Sequence, residues 1–170
     1  FFGEYMLFRQ SSCEKTQEKS NGPERNFLNS RLMEYIAYFP GKYIQGSGTI
    51  HKLENLIRQF GSKALILASP SAVKYLPEHF FHPPLSSWIF TDIFTGESSE
   101  MELSRVAEQI HLRGADVVIG MGGGKTIDTA KIAADRARLP VIVVPTIAST
   151  DAPCSGCAVT YTPEGVFEKV

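Results

Sequence analysis

Hydrophobic positions along this chain change their period repeatedly, and each change marks an element. Residues 9–31 are polar, rich in Ser, Asn, Glu, Lys and Arg, and keep no period. Residues 1–32 therefore read as a loosely structured extension, and the organised domain runs over 33–170. Pro40-Gly41 signals a turn, and Lys42-Tyr43-Ile44 a short strand after it. Leu53, Leu56, Ile57 and Phe60 recur at helical spacing, with Gly61 as the C-cap. Short apolar runs at 63–68, 88–94, 117–119 and 141–144 predict buried strands. A helical segment at 71–76 is broken by Pro77, Pro83 and Pro84. Ser99 and Glu102 have the spacing of a capping box, for a helix with Leu103, Val106, Ala107 and Ile110 on its core face. Ile127, Ala130, Ala134 and Ala137 share one face of a further helix. Residues 158–162 and 166–168, separated by Pro163-Glu164-Gly165, predict a hairpin.

Strands alternating with helices imply an α/β fold: an open, mainly parallel sheet, Rossmann-like, with helices on both faces. Ligands of such sheets bind outside the carboxyl ends of the strands. Three segments are expected there: Ser69-Pro70, the glycines from Gly120 to Gly124, and residues 145–155.

The glycines carry the strongest chemical signal. Gly120, Gly122, Gly123 and Gly124 stand between a buried strand and a helix, so backbone N–H groups can approach an anion without obstruction. The helix N-terminus adds partial positive charge, and the segment reads as a phosphate cradle. It is not a Walker loop, because Ile119 stands where that loop needs its first glycine. The dinucleotide fingerprint fits Gly120 and Gly122, but Lys125 occupies its last position. Residues 145–155 form a second candidate, dense in hydroxyls and carrying one carboxylate, Asp151. Hydroxyls suit phosphate and carboxamide, and a carboxylate accepts bonds from a polyol; the same residue types also build ordinary turns.

Composition narrows the partners. Net charge is −1 with no basic run, which argues against nucleic acid and anionic membrane. No apolar stretch approaches the ~20 residues that span a bilayer. Three cysteines favour a reducing compartment, and hence a cytoplasmic protein, over a disulfide scaffold. Cys154 and Cys157 form a C-x-x-C pair, but a hairpin follows where redox chemistry wants a helix, and no second pair completes a zinc site. His51, His79, His82 and His111 read as surface residues, and Glu97, Glu100 and Glu102 as favourable charge at a helix N-terminus.

Pro40-Gly-Lys-Tyr-Ile-Gln-Gly46, Gly120-Met-Gly-Gly-Gly-Lys-Thr-Ile-Asp-Thr-Ala-Lys131 and Pro145-Thr-Ile-Ala-Ser-Thr-Asp-Ala-Pro-Cys-Ser155 together resemble the glycerol dehydrogenases, a branch of the metal-dependent (iron-type) alcohol dehydrogenase superfamily. The resemblance runs from about residue 33 to residue 170. The Gly-Gly-Gly-Lys turn alone also suits dehydroquinate synthase and glycerol-1-phosphate dehydrogenase; the hydroxyl loop is the more specific segment.

The resemblance implies NAD-dependent oxidation of glycerol to dihydroxyacetone in the complete enzyme, this chain being the cofactor-binding part and inactive alone. By the same resemblance Gly123, Gly124 and Lys125 hold the NAD pyrophosphate, and Thr146 and Ser149 contact the cofactor's central portion. Ser155, the backbone at Cys157, and Tyr161 stand near the nicotinamide. Asp151 binds the polyol substrate. Ser69 falls where NAD-preferring members carry an acidic residue for the adenosine ribose, and its hydroxyl cannot repel a 2′-phosphate by charge. A divalent metal, zinc or iron, is implied for the complete enzyme, with ligands in a C-terminal helical domain that this chain does not reach. No catalytic residue or metal ligand is therefore expected here. A homo-oligomer is implied for the complete enzyme. The alternatives are a stand-alone nucleotide-binding module without catalysis, or another member of the superfamily such as a glycerol-1-phosphate dehydrogenase.

Overall fold

The computed structural model describes residues 3–8 and 41–169. In chain order they form β1 (Gly3–Phe8), β2 (Lys42–Gly46), α1 (Leu53–Phe60), β3 (Ala64–Ala68), β4 (Ile89–Ile93), α2 (Glu100–Arg113), β5 (Val117–Gly122), α3 (Gly124–Ala137), β6 (Val141–Pro145), β7 (Thr160–Tyr161) and β8 (Phe167–Lys169). A six-stranded sheet has the order β2-β1-β6-β5-β3-β4. Its β6, β5, β3 and β4 are parallel, and β1 is antiparallel to both its neighbours. The α/β fold read from the sequence is the fold observed.

β3 and β5 are buried along their whole length, so their side chains alternate between two cores. Ala64, Ile66, Ala68, Val117, Ile119 and Met121 face α1 and its neighbouring turns. Leu65, Leu67, Val118 and Val143 face α2 and α3. Both faces are therefore covered, as continuous apolar strands require.

Several local expectations are corrected. Gly3–Phe8, assigned to the loose extension, is a strand whose backbone pairs with β2 and β6; it covers what would otherwise be an unpaired edge of β6. Residues 9–32 lie outside the described residues. Gly120 and Met121 belong to β5 rather than to the turn, with Gly120 in register with Leu67 and Val143. A Cβ on Gly120 would lie 2.6 Å from that of Ala130, so this glycine lets α3 pack down on the strand. The segment 71–76 holds only a 3₁₀ turn, Val73–Tyr75, because Pro77 follows at once.

Gly61 ends α1 in an extended conformation (φ −166°), not a left-handed cap. Its small size matters because a Cβ there would meet Asp116 Oδ1 at 2.1 Å. That carboxylate accepts bonds from the Ser62 and Lys63 N–H groups, fixing the entry to β3. The capping box forms by half. Ser99 Oγ accepts the Glu102 N–H at 3.4 Å, while the Glu102 carboxylate turns to Thr95 and Arg105. These bonds compensate the buried Glu102 carboxylate, and Arg105 also reaches Asp92 at 2.6 Å. Ala107 and Ala137 are exposed rather than on the core faces of their helices, and Ala133 is buried in α3. Ala137 is the last residue of α3, where the helix turns out through Arg138 (φ 56°).

Candidate functional site

β4 lies on one side of β3 and β5 on the other. The carboxyl ends of β3 and β5 thus flank a topological switch point, where open α/β sheets bind ligands. The three expected segments do meet there. The Ser69 N–H donates to the Met121 carbonyl at 2.9 Å, and the Thr146 N–H to the Gly122 carbonyl at 3.0 Å. Half-buried Ser69 also closes over the turn, because a Cβ on Gly122 would lie 3.0 Å from Ser69 Oγ and 2.9 Å from Thr126 Oγ1.

α3 starts from Gly123 with no side-chain cap. Its first return bond is Ile127 N–H to the Gly123 carbonyl, 3.1 Å. The N–H groups of Gly124, Lys125 and Thr126 precede that bond and point out of the helix. They make a site for an anion, reinforced by the dipole of the 14-residue helix. Loop 146–150 lies across it: a Cβ on Gly123 would meet Ile147 Cδ1 at 3.3 Å, and one on Gly124 would meet Thr150 Oγ1 at 3.1 Å. Bare backbone at both positions keeps the gap open.

Lys125 is exposed and turns sideways. Its ammonium lies 2.6 Å from Glu97 Oε2 and 4.9 Å from the centre of the Tyr161 ring. Tyr161 is held by its N–H to the Ser98 carbonyl, 2.8 Å, and buried Ser98 donates its hydroxyl to the Val159 carbonyl at 3.0 Å. Lys125 and Tyr161 are thus brought together, with Glu97 as a neighbour that the sequence reading assigned only to a helix terminus.

The Asp151 carbonyl accepts the N–H groups of Cys154 and Ser155 at 2.8 and 2.9 Å, closing a turn. Its side chain is exposed and makes no hydrogen bond among the described residues. Ser149 is exposed and Thr146 half-buried. Cys154 and Cys157 are free thiols at the surface.

Two residues with no role in the sequence reading hold this loop. Lys131, on α3, is 5% exposed. Its ammonium donates to the Ala152 carbonyl at 3.0 Å, to Ser155 Oγ at 3.3 Å and, closely, to the Cys157 carbonyl. Asp128, one turn earlier, lies 3.5 Å from Lys131 Nζ and accepts the Val159 N–H at 3.2 Å. Burial pushes the Asp128 carboxyl up and the Lys131 ammonium down, and each partner's charge opposes that drift. The legible signal was an acid and a base three residues apart on the side of α3 that carries Ile127, Ala130 and Ala134.

Among the described residues no cluster of three or more His, Cys, Asp or Glu could hold a metal ion. No helix among them is long and apolar enough to cross a membrane.

The iron-containing alcohol dehydrogenase family matches residues 40–170. A glycerol dehydrogenase from Thermotoga maritima is 45% identical over 132 residues, covering 77% of this chain and 36% of that protein. A glycerol dehydrogenase from Pseudomonas putida is 37% identical over 139 residues, covering 81% of this chain and 38% of that protein. The crystal structure of a probable glycerol dehydrogenase from Sinorhizobium meliloti superposes with a TM-score of 0.62 at 38% identity, over 72% of this chain and 33% of that one. The chain thus spans little more than a third of the length of the curated relatives it matches.

Proposed function

This chain belongs to the iron-containing alcohol dehydrogenase family, and from that premise we propose that it is the NAD-binding part of a polyol dehydrogenase that oxidises glycerol to dihydroxyacetone. The observation that carries the reading is the meeting of an uncapped helix N-terminus, Ser69 and the hydroxyl loop at one switch point. NAD fits these residues. The N–H groups of Gly124, Lys125 and Thr126 would receive the pyrophosphate, in a gap that a Cβ on Gly123 or Gly124 would fill. Thr146 and Ser149 lie on the adjoining loop to hold the cofactor's middle. Ser155, Cys157 and Tyr161 would border the nicotinamide. When bound, NAD supplies the hydride acceptor, and the protein supplies orientation.

Asp151 is the group we assign to the substrate. Its exposed carboxylate can accept bonds from two polyol hydroxyls, which fixes the carbinol carbon relative to the cofactor. Among the described residues no set of His, Cys, Asp or Glu would hold a divalent metal.

The test is Asp151→Asn in the complete enzyme. The amide keeps the shape and loses the charge that strengthens bonds to hydroxyls. KM for glycerol should rise about tenfold or more, since charged hydrogen bonds are worth roughly 1.5–3 kcal/mol, while NAD affinity holds. A lower melting temperature with unchanged glycerol kinetics would remove Asp151 from the substrate site.

A further inference from the structure

We propose that Lys131 is a positioning residue for catalysis: by bonding three groups of the 152–157 segment, it sets where Asp151 and the Cys157 backbone stand relative to the cofactor. The inference rests on the reading of Asp151 as the substrate carboxylate.

The geometry carries it in three steps. First, the segment has little structure of its own. Between β6 and β7 it contains a single turn, closed by the bonds of Cys154 and Ser155 to Asp151. Something outside the segment must therefore fix it. Second, Lys131 meets the segment at Ala152, Ser155 and Cys157. Ser155 Oγ in turn donates to the Cys157 carbonyl at 3.1 Å, so two donors converge on that oxygen. The Cys157 carbonyl is thereby saturated by the protein, and what this residue offers a ligand is its N–H. Third, Lys131 is anchored on α3, the helix whose N-terminus forms the anion site. One rigid element thus sets both the phosphate end and the polyol end.

A merely structural lysine is a poor account of these contacts. A buried ammonium is costly to desolvate, and an apolar side chain of similar length would fill the same space on a helix face already rich in alanine. The return on the charge is directional: a point donor reaches three acceptors on one loop, and Asp128, bonded to Val159, limits where that donor can go. Lys131 touches neither substrate nor cofactor in this reading, and acts through the segment that does.

Lys131→Met in the complete enzyme removes the donors and keeps the bulk. Glycerol KM should rise at least tenfold and kcat fall, both measured well below the variant's melting temperature. Binding of ADP, which occupies the phosphate end alone, should stay within twofold. Amide hydrogen exchange across 152–157 should quicken by a hundredfold or more while β5 and β6 remain protected. Should the Met variant fail to fold, Lys131→Gln carries the same measurements and the same expected direction, since its amide stays polar but its shorter stem cannot serve all three acceptors at once.

A lower melting temperature with unchanged glycerol kinetics and unchanged loop exchange would overturn the proposal. Asp151→Asn separates this from failure of the underlying reading. If that variant alone leaves glycerol KM untouched, the substrate assignment falls. If it raises KM while the Lys131 variants do not, only the positioning role falls.

Discussion

Lys125 lies 2.6 Å from Glu97 Oε2 and stacks its ammonium 4.9 Å from the Tyr161 ring centre, so the lysine nearest the phosphate cradle already has a carboxylate partner. In the proposed function, a pyrophosphate arriving at α3 would compete with Glu97 for it. The pair is partly exposed, with side-chain exposures of 46% and 20%, which keeps the competing interaction modest.

Glu97→Gln should therefore tighten NAD binding by roughly two- to fivefold, the range that follows from a surface pair worth about 0.5–1 kcal/mol. Lys125→Ala should weaken it. Titration calorimetry at two salt concentrations checks both, and the gain from Glu97→Gln should shrink at high salt as the charges are screened. Weaker binding by Glu97→Gln would mean that Glu97 orients Lys125 rather than competing for it.

The glycines separate into a folding position and positions proposed for binding. Gly120→Ala forces a Cβ to 2.6 Å from that of Ala130, between strand and helix backbones that cannot easily yield. It should destabilise the protein by about 1–3 kcal/mol, the usual cost of overpacking. Gly123→Val meets only the exposed Ile147 side chain, which can swing aside. The fold should survive, and NAD affinity should fall by about 3 kcal/mol or more as two bonds to a charged group are lost, each worth roughly 1.5–3 kcal/mol. Thermal melts and calorimetry on both variants should show opposite patterns.

The sheet was legible because buried parallel strands leave continuous apolar runs, and residues 63–68, 117–119 and 141–144 stand out against polar neighbours. The meeting of Ser69, the glycine turn and the hydroxyl loop followed from that topology without further information. What escaped was whatever depends on a partner distant in sequence. Glu102 reads as a capping residue until Arg105 and Thr95 are seen to claim it. Gly120 reads as part of the turn until Ala130 packs over it. Lys131 and Asp128 lie inside a motif quoted for its glycines, and their role appears only when Ala152, Ser155, Cys157 and Val159 fold back on them. β1 escaped because its pairing is with strands far along the chain.

Acid should weaken one tie between α2 and α3. Glu100 receives two 2.8 Å bonds from Arg136 and one of 3.1 Å from Lys169. Those bonds, Arg136's first, hold its carboxyl down at about 2. A folded-state value below the unfolded one contributes stability at and above the ordinary carboxylate range, and loses it as pH falls toward 2. Because the Glu100 side chain is 44% exposed, the contribution is discounted to about 1 kcal/mol or less. Urea midpoints should show Glu100→Gln below the parent at pH 7, with the gap closing as pH falls from about 4.5 toward 2. A gap that stays constant over that span would assign the effect to packing.

We propose that cofactor choice turns on Ser69. It follows directly from β3, its backbone is fixed by the Met121 carbonyl, and its hydroxyl lies 3.3 Å from that of Ser71. A carboxylate at the end of this strand would accept bonds from the adenosine ribose hydroxyls and repel a 2′-phosphate. Serine can accept a bond but carries no charge, so the present sequence should admit NADP more readily than an acidic counterpart would. Ser69→Asp leaves the backbone bond intact and places the carboxylate at a half-buried position at the end of β3. In the complete enzyme, the ratio of kcat/KM for NAD to that for NADP should rise at least tenfold, about 1.4 kcal/mol, mainly through a higher KM for NADP. The melting temperature should change little, because Ser69 makes no side-chain bond to the core. An unchanged ratio with intact folding would place the ribose elsewhere, and the next position to test would be Ser71.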